Sequence, residues 1–359
     1  MKYRAPLHVL PIIRGITLLA LLAVVVWIIL QSFRRAPYAT NPEGLHEFTG
    51  QTMGSTYSVK VVVPPERWAA IAENVGPAIQ AELDLVNGRM STYRPDSELS
   101  RFNQFAETTP FSMSRETIEV FQLAQQVSEA SGGAFDVTVG PLVNAWGFGP
   151  EERSLQGPSD EELAKLRERV GYHMLEIDAA ASTVRKARPD IYCDLGAVAP
   201  GYAVDRVAEA LERLGINNYM IEVGGEVRTR GDKGGGGWHI GIERPESGFQ
   251  EAIYKRIAMS PEGMAMATSG DYRNYYEVAG VRLSHTIDPK TGRPIAHHLA
   301  SVTVLAATCA VADAYATAIN VLGPEKGYDL AVNRQLAALL IIRTDTDQYT
   351  EKATPAFAQ

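Results

Sequence analysis

Hydrophobic and polar positions divide the chain into an apolar terminus and a mixed body. Residues 15–33 carry no charge over 19 positions, running from Gly15 through a stretch rich in Leu, Val and Ile to Phe33. A run of that length can cross a bilayer as a helix. Lys2, Arg4 and Arg14 precede it, and Arg34 and Arg35 close it. No small-x-small cleavage site follows Phe33, and there is no cysteine there to lipidate. The pattern predicts an uncleaved single-pass anchor in residues 1–35, with a cleaved signal segment as the alternative. The bases before the span place the N-terminus in the cytoplasm, so the body is expected on the far side, in the periplasm. Residues 36–49, punctuated by Pro37, Asn41, Pro42 and Gly44, read as a linker.

The body alternates between two periods. Residues 57–63 alternate as a strand does. Residues 65–87 read as a helix, with Gly76-Pro77 as an internal break. A second helix spans 115–130, with Ser114 at its start and Gly132-Gly133 at its stop. Residues 160–169 form a charged, exposed helix capped by Ser159. Residues 201–214 carry Val204, Val207, Ala208 and Leu211 on one stripe and end at Gly215. Strands are expected at 219–228, 238–243, 253–259, 272–278 and 302–306, with 234–237 as a hairpin loop. Their spacing favours hairpins over repeated βαβ units. The fold class is α+β, with largely antiparallel sheets and packed helices.

Composition narrows the chemistry. Hydrophobic residues make up 45% and charged residues 21% of 359 positions, as in a globular protein. Net charge is −8 and no basic cluster stands out, so nucleic acid is not an expected partner. Two cysteines, Cys193 and Cys309, exclude a C-x-x-C motif.

The most informative segment is Ser284-His285-Thr286-Ile287-Asp288-Pro289-Lys290-Thr291-Gly292-Arg293-Pro294, a loop-like stretch with an imidazole among turn residues. Downstream, Asp313 and Thr317 lie at i, i+4 of an expected helix and point the same way. A carboxylate and a hydroxyl on one face make a hard oxygen site, which suits magnesium rather than zinc. A magnesium site beside a candidate His base suggests chemistry on a phosphate ester or anhydride. The run from Asp194 to Asp205 is rich in small residues and precedes a helix N-terminus, where phosphate can bind or a tight turn can pack. Gly224 and Gly225, before Glu226, mark a bulge or a close approach. Asp136 either contacts a ligand or caps a turn, and Tyr93 near a turn is placed to stack on a flat ligand.

Together these segments resemble the ApbE family of FAD:protein FMN transferases. The resemblance runs over Met53-Gly54-Ser55-Thr56-Tyr57, the Tyr93 turn, Ala134-Phe135-Asp136, the Asp194 loop, Val223-Gly224-Gly225-Glu226, Thr268-Ser269-Gly270-Asp271-Tyr272, the His285 motif and the Asp313 helix. Their order is what makes it specific. It covers the chain from about Gly50 onward, and implies a T-fold-like catalytic domain at 50–345 followed by a tail at 346–359. It implies FAD contacts at Met53, Tyr93, Ala134, Phe135, Asp136, Asp194 and Ile287. It implies magnesium held by Asp313, Thr317 and the backbone oxygen of Ala197, and His285 as the catalytic base. Pro200 stands where many members have a Lys at the FAD site, so that contact is either missing, supplied elsewhere or made by proline packing, which bears on the pose of FAD rather than on the reaction class. The implied activity is magnesium-dependent transfer of FMN from FAD to a Thr or Ser hydroxyl of an acceptor protein, such as a membrane electron-transport subunit. The alternatives are hydrolysis of FAD to FMN and AMP, and a non-catalytic FAD carrier. The location expected from the N-terminal span is the inner membrane, with the catalytic domain in the periplasm.

Overall fold

The computed structural model describes residues 44–150, 157–245, 253–270, 275–278, 281–344, 346 and 348–358. The expected membrane span at 15–33 and Asp271-Tyr272 lie outside the described residues. No described helix is long and apolar enough to cross a membrane.

Eight strands build one antiparallel sheet: β1 (Leu45–Thr52), β2 (Ser55–Val62), β3 (Tyr219–Val223), β4 (Glu226–Arg230), β5 (Met264–Gly270), β6 (Leu299–Ala306), β7 (Ala337–Arg343) and β8 (Tyr349–Ala353). Each pairs with its chain neighbours, so the sheet is a meander whose connections carry the helices. Register follows burial. Val59 sits opposite Ile221 and Val61 opposite Tyr219, and all four are buried. Along β7, Ala338 and Leu340 face the main core, whereas Leu339 and Ile341 face a smaller one with Trp238 and Met266. The sheet is thus covered on both faces, which is why β6 reads as a nearly continuous apolar run.

The main core lies under α1 (Pro65–Met90), α2 (Glu98–Gln104), α3 (Arg115–Ala130), α6 (Ala199–Arg213) and α7 (Cys309–Asn333). The short helices α4 (Gly140–Ala145) and α5 (Asp160–Arg167) flank a satellite cluster around Leu142, Leu163 and Ile287. Ser159 and Glu162 close a capping box on α5.

Three expectations are corrected. The break at Gly76-Pro77 is absent, and α1 runs through it. Pro77 and Glu73 are both exposed, so water can serve the carbonyl that proline leaves unpaired, while Val75, Ile79 and Leu83 continue the buried stripe. The strand expected at 219–228 is two strands, β3 and β4, because Gly224 and Gly225 adopt φ of +65° and +113° and turn the chain. Residues 234–237 are not a hairpin loop: they join β4 to the strand 239–243, which pairs with 253–258. The Asp232 carboxylate organises that loop by accepting from the amides of Gly234, Gly235 and Gly237. The main sheet itself runs from β1, which begins at Leu45, to β8 at 349–353.

Candidate active site

One cleft of about 1250 Å³ opens beside the sheet and receives segments from distant parts of the sequence. Its first limb is the β1–β2 turn. Thr52 pairs with Ser55, leaving Met53-Gly54 as a two-residue loop with φ of +51° and +74°. Two consecutive left-handed residues are what such a hairpin needs, and a methionine there is uncommon. Met53 lines the cleft.

Tyr93 follows α1 and is 68% exposed. Its hydroxyl donates to the Phe148 carbonyl at 3.2 Å. The Phe148 ring meets the His285 ring edge-on at 6.4 Å. Phe148 therefore links the stacking candidate to the candidate base, and all three line the cleft.

The third limb is Ala134-Phe135-Asp136, after the Gly132-Gly133 stop of α3. Asp136 caps the turn at 137–139. Its Oδ1 accepts from the Thr138 amide at 2.8 Å and the Thr138 hydroxyl at 2.6 Å, and its Oδ2 accepts from the Tyr172 amide at 2.7 Å. Burial pushes its carboxyl pKa up against these hydrogen bonds. The capping reading of Asp136 is thus present, and the residue also lines the cleft. The Asp194 amide donates to the Val137 carbonyl at 2.7 Å, tying this limb to the next.

Asp194, Ala197 and Pro200 form the approach to α6 and line the cleft. Asp194 Oδ1 accepts from the Gly196 amide at 2.7 Å, and burial raises its pKa. Pro200 sits in the first turn of α6, where a missing N–H leaves no helical bond unmade. Ile287 is buried beside the cleft.

Asp313 and Thr317 occupy successive turns of α7. Thr317 lines the cleft, while Asp313 lies behind it at 7% exposure. Asp313 Oδ2 accepts from the Gly201 amide at 3.0 Å. Burial pushes its pKa from 3.8 to about 7, and the Asp205 carboxylate adds to the shift. Asp205 is itself held, with Oδ1 accepting from Arg228 at 2.6 Å and from the Cys309 amide at 2.9 Å, and Oδ2 from the Ala310 amide at 2.9 Å. It anchors the first turn of α7 and so the turn that carries Asp313.

Among the described residues, no three His, Cys, Asp or Glu side chains gather as a metal cluster. The magnesium ligands that the resemblance implies are of another kind, one carboxylate with a hydroxyl and a carbonyl oxygen, as a hard cation prefers; Thr317 and Ala197 line the cleft and Asp313 is buried. A buried carboxylate whose charge is unfavourable without a cation fits that role.

Comparison with known proteins is decisive on ancestry. The ApbE family model matches residues 53–340. The chain belongs to the ApbE family. A FAD:protein FMN transferase of Vibrio cholerae is 46% identical over 310 residues, covering 86% of this chain and 90% of that protein. One from Haemophilus influenzae is 45% identical over 313 residues, covering 86% and 89%. Among solved structures, the flavin transferase ApbE from Vibrio cholerae superposes with a TM-score of 0.80 at 43% identity, covering 88% of this chain and 99% of that one. The apo flavinyl transferase ApbE of Pseudomonas stutzeri gives 0.77 at 38% identity, covering 88% and 97%.

The ApbE fold also brings in residues that the sequence did not single out. Phe148 carries no local signal. Asp205 does, since it is a carboxylate one turn past Gly201 on the face of α6 that includes Ala208. Ile240 and Glu243 reach the cleft from the two-stranded sheet outside the main one.

Proposed function

We propose that this ApbE-family enzyme transfers FMN from FAD to a Ser or Thr hydroxyl of a target protein, forming a phosphoester and releasing AMP. The observation that carries the reading is the convergence of Met53, Tyr93, the Ala134–Asp136 limb, Asp194, Ile287 and His285 on one cleft, with Thr317 at its wall and Asp313 behind. The names of the relatives support the same reaction.

The residues divide by task. Met53, Tyr93, Ala134, Phe135, Asp136, Asp194, Pro200 and Ile287 would hold FAD. His285 would accept the proton of the acceptor hydroxyl. The acceptor oxygen bonds to the phosphorus of the FMN half, the P–O bond to the AMP half breaks, and the hydroxyl proton passes to the imidazole. Asp313, Thr317 and the Ala197 carbonyl would hold Mg²⁺, which when bound neutralises pyrophosphate charge and the departing AMP. The apolar run at 15–33 supports anchoring in the inner membrane with this domain in the periplasm. Tethering there raises the effective concentration of a membrane-bound redox acceptor.

The test is to incubate the full chain with FAD, Mg²⁺ and a Ser/Thr acceptor peptide and record the peptide's intact mass. A gain equal to FMN less water, abolished by EDTA, is expected. Free FMN and AMP with no gain on any acceptor would replace transfer with FAD hydrolysis. FAD bound but never cleaved would leave a carrier.

A further inference from the structure

Lys186 ends the strand 183–186 at 1% exposure, and its ammonium is buried. Its hydrogen-bond partners are backbone carbonyls: Phe102 at 3.0 Å, Pro189 at 3.1 Å, Ile191 at 3.4 Å and Asn103 at 3.5 Å. An ammonium has three protons, so these oxygens share them. The charge also lies 5.1 Å from the centroid of the Phe102 ring. Burying an ammonium is costly, and an apolar side chain would often serve stability better. What the ammonium supplies instead is geometry. It ties the C-terminal end of α2 to the loop that leads from the strand toward the cleft.

Asn103 continues the tie one step further. Its Nδ2 donates to the Cys193 carbonyl at 2.8 Å, and its Oδ1 accepts from the Cys193 amide at 2.7 Å. A side-chain amide thereby pairs with the backbone as a neighbouring strand would. Cys193 immediately precedes Asp194, whose own amide donates to the Val137 carbonyl. Neither Lys186 nor Asn103 lines the cleft.

We propose that Lys186 and Asn103 are positioning residues that fix Asp194 and so set the affinity of the cleft for FAD. This rests on the reading of Asp194 as a FAD contact. Two layers act in series: the ammonium gathers the loop carbonyls, and the Asn103 amide sets the height of the residue before Asp194.

The test measures FAD binding to the full chain by flavin fluorescence in EDTA, where no turnover occurs, with thermal melting in parallel. Lys186→Met, Asn103→Ala and Asp194→Ala are compared, together with the Asn103→Ala/Asp194→Ala double variant. Loss of a charged or buried hydrogen bond predicts that Lys186→Met and Asn103→Ala each raise the FAD Kd about tenfold. The double variant should bind no more weakly than Asp194→Ala alone, because Asn103 acts only through Asp194. A lowered melting temperature with an unchanged Kd, or additive losses in the double variant, would reduce both residues to scaffolding. If Lys186→Met does not fold, Asn103→Ala and the double variant decide. If Asp194→Ala leaves Kd unchanged, Asp194 is not a contact and the site reading falls with the inference. If only Asp194→Ala weakens binding, the site reading stands and the inference alone falls.

Discussion

The Gly201 amide donates to Asp313 Oδ2 at 3.0 Å across the α6–α7 contact, and this is possible only because residue 201 has no side chain. A Cβ there would lie 2.6 Å from the Cys309 carbonyl oxygen and 2.9 Å from the Ala310 Cα. Backbone atoms cannot rotate away as a side-chain tip can. Gly201→Ala is therefore expected to push α6 and α7 apart, destabilising the fold by about 1–3 kcal/mol. If Asp313 holds Mg²⁺ as proposed, stretching its hydrogen bond from Gly201 should lower Mg²⁺ affinity too. Urea denaturation and Mg²⁺ titration check both; an unchanged midpoint and affinity would mean that the helices yield freely here.

Asp313 gives a pH prediction. Its folded pKa is raised from 3.8 to about 7, so between those values the folded state binds the proton more tightly than the unfolded chain. The stability from that proton is present below about pH 4 and is lost as pH rises toward 7. A cation bound at the carboxylate would replace the proton. Stabilisation by Mg²⁺ should thus grow from pH 5 to 8 and vanish in Asp313→Asn, whose own melting should lose this part of the pH dependence. Melting curves of both proteins with and without Mg²⁺ measure it. Equal Mg²⁺ stabilisation in Asp313→Asn would remove Asp313 from the metal site.

More of the cleft lining than of the architecture is legible in the sequence. Thr317 stands out through its helical spacing from Asp313, and His285 through its turn-rich surroundings, and both line the cleft, because local chemistry survives in one dimension. The order of the sheet does not. β5 and β8 lack a strong period-2 signal in the sequence, since β5 is a run of small and sulfur-containing residues packed on both sides. Asp136 shows the limit of a motif: its three hydrogen bonds include one from Tyr172, a residue 36 positions away that no local pattern predicts. Phe148 joins Tyr93 to His285 only in space.

Asp205 and Arg228 form a nearly buried pair, with side chains 9% and 19% exposed. Asp205→Ala removes a partner from Arg228 and leaves the Cys309 and Ala310 amides without an acceptor. Breaking such a pair from one side is expected to cost about 3–5 kcal/mol. Adding Arg228→Met should recover part of that loss, since the orphaned guanidinium is then gone as well. Urea midpoints of the single and double variants test this, and a double variant no more stable than Asp205→Ala would locate the cost in the α7 amides alone.

As the proposed base, His285 offers a test that separates binding from chemistry. Its ring meets Phe148 edge-on, and it lines the cleft with Tyr93 and Ile287. If it takes the acceptor's proton, His285→Ala should leave the FAD Kd within about twofold while slowing transfer by about 10²–10⁴-fold. The acceptor hydroxyl has a pKa far above that of imidazole, so the base matters most when the P–O bond forms and the oxygen becomes acidic. Raising the pH should therefore restore His285→Ala in part, as hydroxide takes over the role, and should help the wild-type enzyme less. Single-turnover mass spectrometry of the acceptor peptide across pH gives both rates. Transfer unchanged in His285→Ala would assign the proton to another group, and a matching loss of FAD affinity would make His285 a binding residue instead.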